Sequence, residues 1–286
     1  MSDIHCTVAQ LYVHPIKSCG GIAVRDALMI ETGLEFDRAW MVVDAAGEQV
    51  TQRQLPRMAL IQPTLKMSEM VLRAPGMLAL HIALDRVETA TRVRVWNDEV
   101  KAYEMGALAA QWFSDFLGPA HGPLRLVRFD PEQKRLSDKK WAGDVEAENA
   151  FADAFPLLVA STASLADLNR RLAERGAAAV GMERFRPNIV LDGIEAFEED
   201  HIDEITITTP EGKLRLKLVK PCTRCTIPDV DPATAATGHD VGDTLASFRA
   251  DPRVDGGLTF GMNAVVLEGV EHMLRVGQLA EATLKF

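Results

Sequence analysis

Short segments in which every second side chain is apolar recur along most of this chain, and they limit what it can fold into. Residues 7–13, 91–96, 204–208 and 214–218 alternate in this way, while residues 39–43, 188–191 and 264–267 run apolar. A two-residue period puts the apolar side chains of a strand on one face, so each segment needs a second surface to cover it. Turn-forming residues separate the segments: Ala46-Gly47, Asn97-Asp98 and Pro210-Glu211-Gly212 stand where hairpins would reverse. The pattern predicts a β-rich α+β fold, a barrel or sandwich with a few helices. One helix is expected over residues 107–117, where Leu108, Trp112, Phe113, Phe116 and Leu117 fall at helical spacing ahead of a stop at Pro119. A second follows a strand at residues 155–159, with Ser164 as N-cap and Leu165, Leu168 and Leu172 on one face.

Between residues 130 and 148 the chain is charged, carries Lys134-Arg135 and Lys139-Lys140, and shows no apolar period. It reads as a surface connection and sets the expected division into residues 1–130 and 131–286. Two domains suit a chain of 286 residues, and 47% hydrophobic with 25% charged residues is the composition of a compact globular protein. The net charge of −10 offers no footprint for a nucleic-acid backbone, although it leaves room for a local basic pocket. Met1-Ser2-Asp3-Ile4-His5-Cys6 lacks the basic and apolar regions of a signal peptide, and no run reaches the ~20 apolar residues of a membrane span. A cytoplasmic location is expected, where Cys6, Cys19, Cys222 and Cys225 would be metal-binding, catalytic or buried rather than disulfide-bonded.

Cys222-Thr223-Arg224-Cys225 is a CxxC, open to several readings. A zinc site needs two further ligands, and neither a second CxxC nor a close His pair is present. A redox dithiol usually opens a helix, whereas this one follows an alternating strand and precedes Ile227-Pro228. A thiolate also suits a soft or redox-active metal, and the guanidinium of Arg224 would favour the deprotonated sulfur. Three basic segments accompany it. Lys17-Ser18-Cys19-Gly20-Gly21 resembles part of a phosphate-binding loop, with amides exposed at the glycines, and Arg38 and Arg186 each precede an apolar strand.

Taken together, Tyr12-Val13-His14-Pro15-Ile16-Lys17-Ser18-Cys19, Asp37-Arg38-Ala39-Trp40, Phe185-Arg186-Pro187-Asn188-Ile189-Val190 and Pro221-Cys222-Thr223-Arg224-Cys225-Thr226 ahead of Val230-Asp231-Pro232 resemble the MOSC family. The resemblance covers nearly the whole chain, and looks like the branch containing the mitochondrial amidoxime reducing component and its bacterial relatives. It implies a MOSC-type β-barrel preceded by an N-terminal β-rich domain. It also implies a molybdenum cofactor, Mo-molybdopterin, ligated by Cys225, with Lys17, Ser18, Arg38, Arg186, Thr223 and Arg224 holding the pterin and its phosphate. Asn188 and residues 161–165 fall near the cofactor in what the family implies, and Gly261-Met262-Asn263 matches a late segment. Cys222 is read as buried packing, like Cys6 and Cys19.

The implied activity is reduction of N-hydroxylated compounds to amines, releasing water. Asp231 or Asp229, just after the ligand loop, is the candidate proton donor. Electrons would come from a separate ferredoxin-like or flavin-containing protein, since no cysteine follows Cys225 before the chain ends at Phe286. The rival function is a cofactor carrier or sulfur-transfer module without reductase activity. A metal-free dithiol protein is the third class.

Overall fold

The computed structural model describes residues 4–118 and 122–285. Met1, Ser2, Asp3, Pro119 and Phe286, to which expectations attach above, lie outside the described residues.

Seven strands close into a barrel. Their order around it is Leu157–Ser161, Ile189–Asp192, Ile4–Val13, Leu279–Leu284, Ile202–Thr209, Gly212–Thr223 and Gly257–Glu268, which pairs back onto Leu157–Ser161. All neighbours run antiparallel except Leu157–Ser161 and Ile189–Asp192. That parallel pair is joined by the helix Thr162–Glu174, the crossover such a pair requires. Alternation decides which side chains enter: Val8, Leu191, Ile205, Ile207, Leu214, Leu216, Leu218, Met262 and Ala264 are fully buried and pack in one core.

Ile4–Val13, the first strand of the chain, sits between two strands from its far end. A division near residue 130 therefore leaves one barrel strand on the N-terminal side. Most of the rest of the N-terminal half forms a four-stranded sheet, ordered Trp40–Val43, Arg125–Phe129, Asp98–Glu104, Ala90–Val95, and a three-stranded meander of Gln62–Leu65, Glu69–Arg73 and Leu80–Ala83, while Ile22–Val24 pairs with Ile4–Val13, and Asp26–Ile30 pairs with Gly33–Leu34 and Met273–Arg275. The helix Ala107–Leu117 covers them, burying Trp112, Phe113 and Phe116 in a core around Trp40 and Met58. Leu108, assigned above to its apolar face, points to solvent at 73% exposure.

Three local expectations need correction. The helix after Leu157–Ser161 is capped by Ser161, whose hydroxyl accepts from the Ser164 amide; Ser164 lies inside it, its own hydroxyl donating to Glu199. The segment 130–148 is more than a surface connection. Arg135 is buried, and its guanidinium donates to the carbonyls of Ala150, Ala152 and Asp153, pinning the loop ahead of the barrel. A polar anchor leaves no apolar period to read. The hairpin at Asn97-Asp98 turns one residue earlier, since Asp98 pairs with Val95 and leaves Trp96 and Asn97 in the turn.

Candidate functional site

Where the N-terminal half meets one end of the barrel, residues distant in sequence line a single pocket. Lys17, Ser18 and Arg38 come from the N-terminal half, Arg186 and Asn188 from the approach to Ile189–Asp192, and Cys222, Thr223, Arg224 and Cys225 from the end of Gly212–Thr223. Arg53, Asp153, Lys220 and Asn263 complete its polar walls. Lys17, Arg38, Arg53, Arg186, Lys220 and Arg224 thus face Asp153, which among the described residues is the one acid lining the pocket. In a chain of net charge −10 this is a concentrated positive field, suited to an anionic guest.

The backbone is bent to build it. Ser18, Arg38 and Arg186 adopt φ of 66°, 49° and 57°, the left-handed region that non-glycine residues rarely enter. All three line the pocket, and strain of this kind persists only where surrounding contacts impose it. Arg38 donates to Asp37, to Asn188 Oδ1 at 3.1 Å and to the Arg186 carbonyl at 2.9 Å. Asn188 in turn receives the Leu158 amide at 3.1 Å and donates to the Tyr12 carbonyl, tying three barrel strands to the site. The Gly20-Gly21 loop works differently from the expectation. The amides of Lys17, Cys19 and Gly20 are occupied by the carbonyls of Trp40, Ile16 and Ile61, so these three are not presented to an anion. The glycines serve close approach: a Cβ on Gly20 would sit 2.6 Å from Gln62, and one on Gly21 2.5 Å from the His14 ring.

Electrostatics follow from burial. Burial pushes the Lys17 ammonium down, opposed by Asp153, which it contacts together with the Phe151 carbonyl. Burial also pushes Asp153 up, but the Lys17 charge, its hydrogen bond and that of Trp96 outweigh it and hold the carboxyl below its usual range. Arg186 is pushed down to about 10 by burial and by Arg38. His14, between these guanidiniums, is held neutral by burial and the same two charges, and donates from Nε2 to the Pro187 carbonyl. Two buried guanidinium nitrogens, Arg186 Nη2 and Arg224 Nε, have no partner among the described residues. An uncompensated buried cationic donor is costly, and an anion in the pocket would supply a partner.

The cysteines divide by position. Burial pushes Cys6 up to about 11 and Cys19 up to about 12, which keeps both as thiols. Cys225 is exposed at the pocket. Cys222 is half-buried rather than packed away. The strand runs on past the buried Pro221, so Cys222 faces the pocket and accepts from Arg224 Nη1 at 3.0 Å. The Arg224 guanidinium therefore serves Cys222 and the Phe185 carbonyl.

Asp231 does not join the pocket. Its carboxylate accepts the amides of Ala233 and Thr234 and the Arg184 guanidinium, closing a turn in a separate depression that Asp229 also lines. Asp229 caps the amides of Val241 and Gly242. Ser161 and Ser164 are likewise elsewhere, bonded to the buried Glu199. The sequence reading passed over Asp153, Arg53 and Lys220. Asp153 follows Phe151-Ala152 in a loop without period, and its pairings with Lys17 and Trp96, both distant in sequence, are what mark it. Among the described residues no three His, Cys, Asp or Glu side chains converge to hold a metal.

Residues 5–120 match the MOSC N-terminal beta barrel domain, and residues 146–280 match the MOSC domain. The chain belongs to the MOSC family. Its relatives include Mitochondrial amidoxime reducing component 2 of Rattus norvegicus, 38% identical over 260 residues that span 87% of this chain and 74% of that protein. The Homo sapiens protein of the same name is 37% identical, over 86% of this chain and 73% of that one. Mitochondrial amidoxime-reducing component 1 of Mus musculus is 38% identical, over 86% and 72%. The MOSC-type barrel and the β-rich N-terminal region expected from the sequence are both present. Among the described residues no helix is long and apolar enough to cross a membrane.

Proposed function

We propose that this protein reduces N-hydroxylated compounds at a molybdenum cofactor whose metal takes the Cys225 sulfur as its protein ligand. The observation that carries the reading is the pocket itself: six cationic side chains, two of them with buried unpartnered donors, beside an exposed thiol. The names of the relatives supply the reaction class, amidoxime reduction.

The donor set fits such a cofactor. Arg186 and Arg224 have unpartnered nitrogens to offer a terminal phosphate, with Lys17, Ser18, Arg38 and Thr223 around them. Charge-assisted bonds of about 1.5–3 kcal/mol each make several necessary for retention. When bound, the cofactor supplies two-electron chemistry at the N–O bond. The overall change, R–N–OH plus two electrons and two protons giving R–N–H and water, draws electrons from a separate iron–sulfur or flavin protein.

This chain's residues do the rest. The Arg and Lys side chains bind and orient, and the left-handed positions at Ser18, Arg38 and Arg186 hold them without mobility of their own. With Asp231 and Asp229 turned to backbone capping, Asp153 is the acid that lines the same pocket as Cys225. Its depressed pKa suits a carboxylate that orients Lys17 better than one that carries a proton.

The test is metal analysis and pterin extraction on wild type and Cys225→Ala made in a cofactor-competent host, alongside reduction of an N-hydroxylated base by a chemical donor. Wild type is expected to carry molybdenum and pterin in matching amounts and to turn over. Cys225→Ala is expected to lose turnover and most of the metal. Wild type devoid of molybdenum sinks the proposal, and metal held equally by Cys225→Ala sinks the ligand assignment.

A further inference from the structure

The turn at Trp96 puts a bulky aromatic where the backbone least favours one. Pairing of Val95 with Asp98 leaves Trp96 and Asn97 as a two-residue hairpin loop, and Trp96 takes φ 55°. Such loops favour Gly, Asn or Asp, because a β-carbon in the left-handed region crowds the following carbonyl. Two partners far along the chain hold the ring there. The indole N–H donates to Asp153 Oδ1 at 3.0 Å, and the Arg53 guanidinium lies 4.5 Å from the ring centroid. Trp96 nevertheless stays 44% exposed and belongs to none of the apolar cores.

Trp96, Arg53, Asp98 and Asp153 form one wall of an open groove, and Thr223, Arg224 and Cys225 form another. The groove is continuous with the cationic pocket through the residues the two share, among them Asp153 and Cys225. One carboxylate oxygen, Asp153 Oδ1, receives both Lys17 from the pocket side and Trp96 from the groove side. A strained, pinned and uncovered aromatic ring in the groove that Cys225 also lines is poorly explained by packing, and it is the kind of outlier from which function is inferred.

We propose that this groove is where the substrate reaches Cys225, and that Trp96 is the specificity-determining platform on which flat, conjugated N-hydroxylated compounds stack. The inference rests on the reductase reading of the pocket and adds the residue that sets preference among its substrates. Aromatic stacking is worth about three- to tenfold in affinity, so Trp96 favours an aromatic amidoxime or an N-hydroxylated base over an aliphatic amidoxime by that factor. Charge acts in the same place. Arg53, Arg135 and Arg224 outnumber Asp98 and Asp153 on the groove walls. An amidoxime is neutral near pH 7 and its amidine product is a cation, so the groove admits the substrate and disfavours the product.

The test uses the full chain in metal-free form, with alkylation of Cys225 by iodoacetamide followed by peptide mass spectrometry. Benzamidoxime is expected to slow alkylation at concentrations where acetamidoxime and benzamidine do not. Trp96→Gly relieves the backbone and is expected to melt no lower than wild type, while the benzamidoxime concentration giving half-protection rises three- to tenfold; Trp96→Phe restores most of it. With cofactor loaded, the preference in kcat/KM for benzamidoxime over acetamidoxime falls by the same factor in Trp96→Gly. Absence of protection in wild type, or undiminished protection in Trp96→Gly, overturns the proposal. Because protection is read without metal, it stands or falls separately from the reductase reading, which fails instead on missing molybdenum.

Discussion

Arg186 is placed where the protein alone stabilises a guanidinium poorly: buried, left-handed at φ 57°, beside Arg38, and with one nitrogen unpartnered among the described residues. Such a residue serves a guest more than the fold. Arg186→Met should therefore lower the pterin retained on purification by about ten- to a hundredfold, the loss of one or two charge-assisted bonds. The same change relieves repulsion with Arg38, so the melting temperature of the cofactor-free chain should hold or rise. Pterin quantitation and a thermal melt on one preparation check both halves, and a large fall in melting temperature would mark Arg186 as structural. Asn188 is the opposite case. Its amide oxygen accepts from the Leu158 amide and from Arg38, and its Nδ2 donates to Tyr12. Asn188→Ala strands a buried N–H, and about 1–3 kcal/mol of stability should be lost in denaturant titration even without cofactor.

Among the elements, the helix Thr162–Glu174 has a titrating group from the turn Glu198–Asp200 packed against its start. Glu199, fully buried against Ser161 and Ser164, is pushed up to about 7 by burial, against the pull of those hydroxyls. A carboxyl raised in the folded state binds its proton more tightly there than in the unfolded chain. Its stabilising contribution is therefore complete below about pH 4.5 and is lost as pH climbs through 7, roughly 3 kcal/mol in all. Glu199→Gln should flatten this decline, so that the variant gains on wild type between pH 5 and 8 in thermal melts; parallel curves would contradict it. Elements governed by period were legible in the sequence. The helix Ala107–Leu117, apart from the exposed Leu108, and the alternation of residues 204–208 and 214–218 stand as read, because a solvent face and a core face write themselves into the residue order. The helix start at Ser161, the buried Arg135 and the turn at Trp96 were hidden, because each depends on a partner far along the chain or on a conformation that propensity disfavours. The site divides the same way. Lys17, Ser18, Arg38, Arg186, Thr223, Arg224 and Cys225 were legible as segments and do converge, whereas Asp153 and Arg53 lie in loops with no local signal.

For the whole molecule, the decisive feature is that the barrel is not built from contiguous sequence. Ile4–Val13 lies between Ile189–Asp192 and Leu279–Leu284, and it buries Cys6, Val8, Leu11 and Val13 in the barrel core. Immediately after it the chain delivers Lys17 and Ser18 to the pocket, so the strand that completes the barrel also aims part of the site. Burial of an apolar side chain is worth about 1.5–3 kcal/mol, so those four are together of the order of a domain's entire net stability of about 5–15 kcal/mol. Their removal also leaves two strand edges with unpaired amides and carbonyls facing each other across the gap. Residues 131–286 expressed alone should therefore give no cooperative thermal transition, and should bind extrinsic hydrophobic dye. Adding a synthetic peptide of residues 1–16 in excess should restore part of the transition by filling the missing strand position. A fragment that melts cooperatively within a few degrees of the full chain, with or without peptide, would show that six strands close without the first.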